Sequence, residues 1–204
     1  GMDIEYEVEG DGPWVTLSHS LACSNTMWQP QMAALAKRYR VLRYDTRGHG
    51  GSTATPAPYT LDLLAEDARA LLDALGIQRT HWVGLSLGGM IGETFALKYP
   101  ERLQSLALCD TTSRYPREAA ATWDERIRSA EATGMAGLAE ATLARWFTEP
   151  YRKSHPEVMQ SFAAVIGATP LAGYAGCGKA IASIDLTERL KALSMPTLVI
   201  VGEQ

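Results

Sequence analysis

The residues with the clearest chemical potential in this 204-residue chain are Gly84-Leu85-Ser86-Leu87-Gly88-Gly89, set between the apolar run His81-Trp82-Val83 and a helix-like pattern. A Gly-x-Ser-x-Gly segment between a strand and a helix raises a serine oxygen above the end of a sheet. The turn needs a strained backbone, and side chains at its flanks would strike the adjoining strand or helix, so glycine at 84 and 88 removes the collisions. A helix that begins directly after Ser86 turns unpaired N–H groups and the positive end of its dipole toward any anion formed there. The chemistry served is attack of Ser86 on a carbonyl carbon, with the Leu87 amide as one oxyanion donor. A second donor is needed, and the Leu21 amide in His19-Ser20-Leu21-Ala22, at the end of the strand-like run 14–20, is the candidate. His19 itself is read as stabilising that loop by hydrogen bonding rather than as a base.

A serine without a neighbouring base is a poor nucleophile at neutral pH, and in strand-turn-helix sites of this kind the order along the chain is Ser, acid, His. His81 starts the strand of Ser86, and His155 stands beside Pro156 in a helical stretch, so neither occupies a loop after a final strand. The acid and the His are therefore expected beyond Gln204, with Asp110, at the end of the strand after Ser86, as a substitute acid. On this reading the chain is a fragment that is inactive alone. Asp45-Thr46-Arg47-Gly48-His49-Gly50-Gly51-Ser52 holds an acid, a base and a hydroxyl, but neighbours on one loop do not converge on one reacting atom. That loop is read as structural, its turn fixed by a charge-assisted pair between Asp45 and Arg47.

The elements that must position these groups alternate. Residues 3–9 show a strict period of two, with Ile4, Tyr6 and Val8 on one side, which suits a half-exposed antiparallel strand. The runs 14–20, 40–48, 80–86, 103–110 and 197–202 are short and mostly apolar, as expected for strands buried on both faces. Helix patterns lie between them: Met32, Leu35, Ala36 and Tyr39 form one stripe, and Leu64, Ala68, Leu71, Leu72 and Leu75 another, with Thr60 as N-cap and Gly76 beyond the end. A third helix begins after Ser86 and stops before Pro100. Residues 111–194 lose the strand signal and read as a helical cap inserted in a core formed by 1–110 and 195–204. The aromatic residues Trp123, Trp146, Phe147, Phe162 and Tyr174 in this region serve either as plain core or as the lining of a pocket.

Composition bounds the rest. With 46% apolar residues, 19 basic against 23 acidic and a formal charge of -4, the chain lacks the basic excess that phosphate-backbone binding needs, so nucleic acid is not an expected partner. No apolar run approaches ~18 residues and the first ten residues are acidic, so neither a membrane span nor a signal peptide is read, and a cytoplasmic protein is expected. Cys23, Cys109 and Cys177 form no CxxC and no His cluster, and no disulfide, metal or organic cofactor is expected.

The segments GLSLGG, DTRGHGGS and HSL, in their order and spacing, resemble the α/β-hydrolase superfamily over the whole chain. Within it, LARWFTE (143–149), GYAGCGKAIASIDL (173–186) and the final TLVIVGEQ resemble 3-oxoadipate enol-lactonases. The resemblance implies an α/β fold, a mostly parallel sheet flanked by helices with an inserted helical cap, whose last strand and helix lie beyond Gln204. It also implies a Ser-acid-His triad, an acyl-enzyme on Ser86 and hydrolysis of a small lactone or carboxylic ester without a cofactor. An enol-lactone carries a carboxylate, which calls for a pocket cation: Arg145 first, then Arg114 and Arg126, with Trp123 and Trp146 as further substrate contacts. The alternatives are a broad carboxylesterase, a cofactor-free perhydrolase and, in another class, a non-catalytic ligand-binding protein.

Overall fold

The computed structural model describes residues 2–203. Six strands form one sheet in the order β1-β3-β2-β4-β5-β6. They are β1 (Tyr6–Glu9), β2 (Trp14–Ser18), β3 (Arg40–Tyr44), β4 (Thr80–Leu85), β5 (Leu103–Cys109) and β6 (Thr197–Ile200). β1 runs antiparallel to β3, and every other pair is parallel. The period of two at 3–9 thus marks the antiparallel strand, and the apolar runs mark the parallel ones.

Between the strands run α1 (Gln29–Leu35), α2 (Leu61–Ala74) and α3 (Leu87–Lys98). In α2, Leu61, Leu64, Ala65, Ala68, Leu71 and Leu72 are buried on one face. Thr60 accepts a hydrogen bond from the Leu63 amide at 3.1 Å, a cap worth about 1 kcal/mol, and Gly76 follows the helix at φ +69°. α3 is buried from Leu87 to Ala96, being covered by the sheet on one side and by α2 on another. It stops before Pro100 as expected.

The chain between β5 and β6 contains α4 (Arg117–Gly137), α5 (Ala139–Trp146), α6 (Glu149–Ser154), α7 (Pro156–Ala168) and α8 (Leu171–Ala182). α4 is broken at Gly134, where φ is +71°. α8 joins this helical layer to the rest: an added Cβ on Gly173 would stand 1.9 Å from the Gly48 carbonyl oxygen, so the two backbones touch only because both residues are glycine. One continuous apolar cluster runs from Leu64, Ile91 and Phe95 through Ile181 to Trp123 and Ile127.

Two expectations are corrected. Among the described residues the run 197–202 is not buried on both faces: β6 pairs with β5 alone, and Leu198, Val199 and Ile200 are 58%, 69% and 50% exposed. No described helix covers it, and an edge strand keeps its apolar side chains and one row of backbone groups open. Nor does Arg47 pair with Asp45. Its guanidinium makes a two-pronged contact with Asp67 on α2, at 2.6 and 2.7 Å, while Asp45 accepts the amides of Asn25 and Gly51. A carboxylate surrounded by free loop amides is satisfied locally, which leaves the longer arginine to reach the neighbouring helix. The loop is structural, as expected, but it is built from two anchors rather than one.

Among the described residues no single helix is long and apolar enough to cross a membrane.

Candidate active site

Strand order decides where a site forms. β2 leads leftward to β3, whereas the chain after β3 returns to β4 on the other side of β2, so the connections leaving β2 and β4 diverge and open a crevice at their carboxyl ends. The register sets Ser18 of β2 beside Gly84 of β4. The loop carrying Leu21 and the turn carrying Ser86 are therefore neighbours.

Ser86 has φ 52° and ψ -113°, a conformation that costs an L-residue about 1–3 kcal/mol and persists only where its surroundings over-determine it. They do so here. The Ser86 amide donates to the Cys109 carbonyl at 2.9 Å, and its carbonyl accepts from the amides of Gly89 and Met90 and from the Thr111 hydroxyl at 2.7 Å. A Cβ on Gly84 would lie 2.2 Å from the Gly88 carbonyl oxygen, and one on Gly88 would lie 2.0 Å from that of Ser18. Both glycines do what the sequence assigns them. The Ser86 hydroxyl makes no hydrogen bond among the described residues, nor do the amides of Leu21 and Leu87. These three groups are available to a ligand.

The Leu21 loop is fastened to the loop after β3. The Thr46 amide donates to His19 Nε2 at 2.8 Å, the Ala22 amide to His49 Nε2 at 3.1 Å and the Asn25 amide to Asp45 at 2.6 Å. Both imidazoles are fully buried, and this desolvation pushes the His19 pKa down to about 4 and that of His49 to about 3. His19 stabilises the loop, as expected. His49 does so too, and nothing in the sequence pattern separates it from the rest of its glycine-rich loop.

Over Ser86 lies a chamber of about 210 Å³ lined by Ser20, Leu21, Met90, Trp123, Arg145 and Tyr174, among others. Of the candidates from the sequence, Trp123, Arg126, Arg145 and Trp146 line it. Arg126 stacks over the Trp123 ring at 4.7 Å, and Arg145 donates to the Thr142 hydroxyl at 3.1 Å. Neither guanidinium is paired with a carboxylate among the described residues. Burial, and after it the Arg126 charge, lowers the Arg145 pKa, and both cations line the same chamber. Arg114 is elsewhere, facing Asp185 at 3.7 Å on the surface. Tyr115 and Thr142 also line the chamber and escaped the sequence reading, because nothing in their spacing sets them apart from ordinary helix and loop residues.

A second cavity of about 300 Å³ shares Ser86, Arg145 and Trp146 with the first and adds Met27, Phe147 and Phe162. Asp110 borders it at φ +45°, so the structure brings Asp110 to the same crevice as Ser86. The other two histidines are outside. His81 bonds the Ser105 hydroxyl at 2.8 Å, and His155 stacks on Tyr151.

Residues 13–204 match the family model for the alpha/beta hydrolase fold. The chain is 35% identical over 204 residues to 3-oxoadipate enol-lactonase 1 of Acinetobacter baylyi, spanning 99% of this chain and 76% of that protein. Among solved structures, the enol-lactonase from Burkholderia xenovorans is 40% identical with a TM-score of 0.95, over 100% of this chain and 79% of its own. A thermophilic esterase from Thermogutta terrifontis is 34% identical with a TM-score of 0.94, over 99% and 75%. The divergent connections beside β4, the strained serine turn and these similarities agree, and the chain belongs to the α/β-hydrolase fold family.

Proposed function

We propose that this protein is a serine hydrolase of small carboxylate-bearing lactones or esters, with 3-oxoadipate enol-lactone as the leading substrate. The observation that carries the reading is the placement of two uncompensated guanidiniums, Arg126 and Arg145, in the chamber above Ser86. Cations held without a counter-ion in a partly desolvated pocket favour an anionic ligand. The enol-lactonases named among the similar proteins support the same substrate class.

Ser86 Oγ attacks the lactone carbonyl, and the Leu21 and Leu87 amides donate to the oxygen that becomes negative. Collapse of the tetrahedral species breaks the ring C–O bond and leaves the acyl group on Ser86. Water then attacks the acyl carbon and releases the free acid. The proton removed from Ser86 goes to a histidine oriented by an acid and is passed to the departing ring oxygen; the proton later taken from water by the same histidine returns to Ser86 Oγ as the acyl bond breaks. All four histidines of the chain are engaged away from Ser86: His19 and His49 in backbone hydrogen bonds, His81 on β4 and His155 against Tyr151. We therefore place the base, and with it the acid, beyond Gln204, with Asp110 as the substitute acid. The helices of 111–194 act as the cap that holds the carboxylate.

The test compares turnover of the full-length polypeptide on the enol-lactone and on a neutral ester of similar size. A preference for the anionic substrate that vanishes in the Arg126→Gln, Arg145→Gln double variant is the expected result. Equal efficiency on both substrates would sink the lactonase reading. It would favour the second reading, a broad carboxylesterase, which the apolar cavity beside Ser86 supports.

A further inference from the structure

The two peptide groups that flank Leu21 are each gripped by an imidazole. His19 Nε2 accepts the Thr46 amide proton, so in the neutral ring Nδ1 carries the hydrogen and donates to the Ser20 carbonyl at 2.7 Å. That carbonyl and the Leu21 N–H belong to one planar trans peptide unit, in which oxygen and hydrogen point in opposite directions. Fixing the Ser20 oxygen toward His19 therefore aims the Leu21 N–H the other way. The next peptide unit ends in the Ala22 N–H, which donates to His49 Nε2 at 3.1 Å, while His49 Nδ1 donates to the Arg47 carbonyl at 3.2 Å. Ala22 has φ +58°, unfavourable for a residue with a Cβ, and it is 2% exposed. The two rings lie 5.3 Å apart.

We infer that His19 and His49 form a neutral imidazole clamp that orients and polarises the Leu21 amide as an oxyanion donor, and that beyond tying the two loops together they are positioning residues for the transition state. A hydrogen bond to the Ser20 oxygen withdraws electron density from its peptide and strengthens the N–H at the other end. Burial keeps both rings uncharged, which the geometry demands, because a protonated ring would turn an N–H against the Thr46 or Ala22 amide. The inference rests on the proposed acyl transfer at Ser86. The two are separable: turnover retained in Ser86→Ala fails the function, whereas unaffected clamp variants in a protein inactivated by Ser86→Ala fail the clamp alone.

The side-chain amides of Asn and Gln distinguish the two nitrogens of His19. His19→Asn keeps a donor near the Nδ1 position, toward Ser20, and His19→Gln keeps an acceptor near the Nε2 position, toward Thr46. The clamp predicts that in the full-length polypeptide His19→Gln lowers kcat ~10-fold or more, part of the ~10²–10³ lost with a whole oxyanion donor, and that His19→Asn lowers it less. A mere loop tie predicts the reverse order. KM is expected to stay within about twofold, since the Arg126 and Arg145 contacts are untouched, while a carboxyalkyl boronic acid, which mimics the tetrahedral species, loses affinity in step with kcat. His49→Leu is expected to behave like His19→Gln, and His49→Gln to recover activity through its acceptor for the Ala22 amide. The clamp is overturned if His19→Gln keeps kcat, or if His49→Leu and His49→Gln are equally active. Should the variants not fold, nitrogen NMR of the unaltered protein decides: both rings as the neutral Nδ1–H form at pH 6 to 7 support the clamp, and an Nε2–H or charged ring overturns it.

Discussion

The turn at Ser86 and the chamber above it are built by opposite means. Below, position is set by backbone: strained φ at Ser86, amides and carbonyls in fixed hydrogen bonds, and glycines whose missing Cβ atoms let β2, β4 and α3 touch. Above, it is set by side chains on helices: Arg126 on α4, Arg145 and Trp146 on α5, Tyr174 on α8. Backbone strain is tolerable only where packing leaves no alternative, and it yields the sub-ångström placement that bond-making needs. Guanidiniums on separate helices need no such placement, because a charge acts over several ångströms. On the proposed function, the lower region makes and breaks bonds and the upper one chooses what arrives.

The division can be broken most directly at Ser86. Ser86→Ala is expected to lower turnover of the full-length polypeptide at least ~10⁴-fold with little change in the affinity of a non-reacting substrate analogue. Comparable turnover in the variant would remove the lower region from the chemistry altogether.

Next in size is Gly88→Ala. Its Cβ would meet the Ser18 backbone oxygen at 2.0 Å, where no flexible side-chain end can yield, and a loss of ~3 kcal/mol or more in denaturant unfolding is expected. A loss below about 1 kcal/mol would show that β2 and α3 can separate, and that the turn is less determined than its geometry implies.

The upper region predicts a different signature. Arg145→Gln is expected to raise KM for a carboxylate-bearing ester about 10-fold and to leave kcat and neutral esters nearly unchanged, as loss of uniform binding does. A fall in kcat without a change in KM would place Arg145 with the chemistry and blur the contrast.

An effect of similar size tests the cost of rigidity below. Glu93 lies on α3 two turns after Ser86, 2% exposed, with Oε2 unpartnered. Desolvation raises its pKa from 4.5 to about 7, so the fold prefers the protonated acid, and stability is lost as pH climbs from 4.5 through 7. Glu93→Gln is expected to stabilise the protein at pH 8, on the order of 1–3 kcal/mol, and to do little at pH 4. His19 and His49 act with the opposite sign. Their folded pKa values lie below the ordinary 6.5, so their contribution is complete above pH 6.5 and fades as pH falls toward 4 and 3. Chemical unfolding at several pH values should therefore show a loss of stability as pH falls from 6.5 toward 3 that Glu93→Gln leaves in place, and a loss as pH rises from 4.5 through 7 that it removes.

Legibility followed the same division. Gly84, Ser86 and Gly88 announced the turn because local strain demands particular residue types at fixed spacing, and Thr60 and Gly76 announced the ends of α2 for the same reason. The chamber was legible only as a set of candidates. Arg145 was ranked ahead of Arg114 and Arg126 on the resemblance alone, and only the packing of α4, α5 and α8 put Arg126 beside it on the chamber wall and left Arg114 beside Asp185. The partner of Arg47 was misread for a related reason: the nearest acid in sequence, Asp45, was already satisfied by the Asn25 amide from another loop and the Gly51 amide of its own.

By itself, then, the sequence determined the alternation of strand and helix, the strained serine turn and the family, since each rests on interactions within a few residues or on a period repeated along the chain. The tertiary structure alone decided that β2 and β4 are neighbours, that two imidazoles grip the peptides around Leu21, and that Arg126 and Arg145 meet over Ser86. Those contacts join residues far apart in the chain, and their geometry exists only once the sheet order and the helix packing have brought them together.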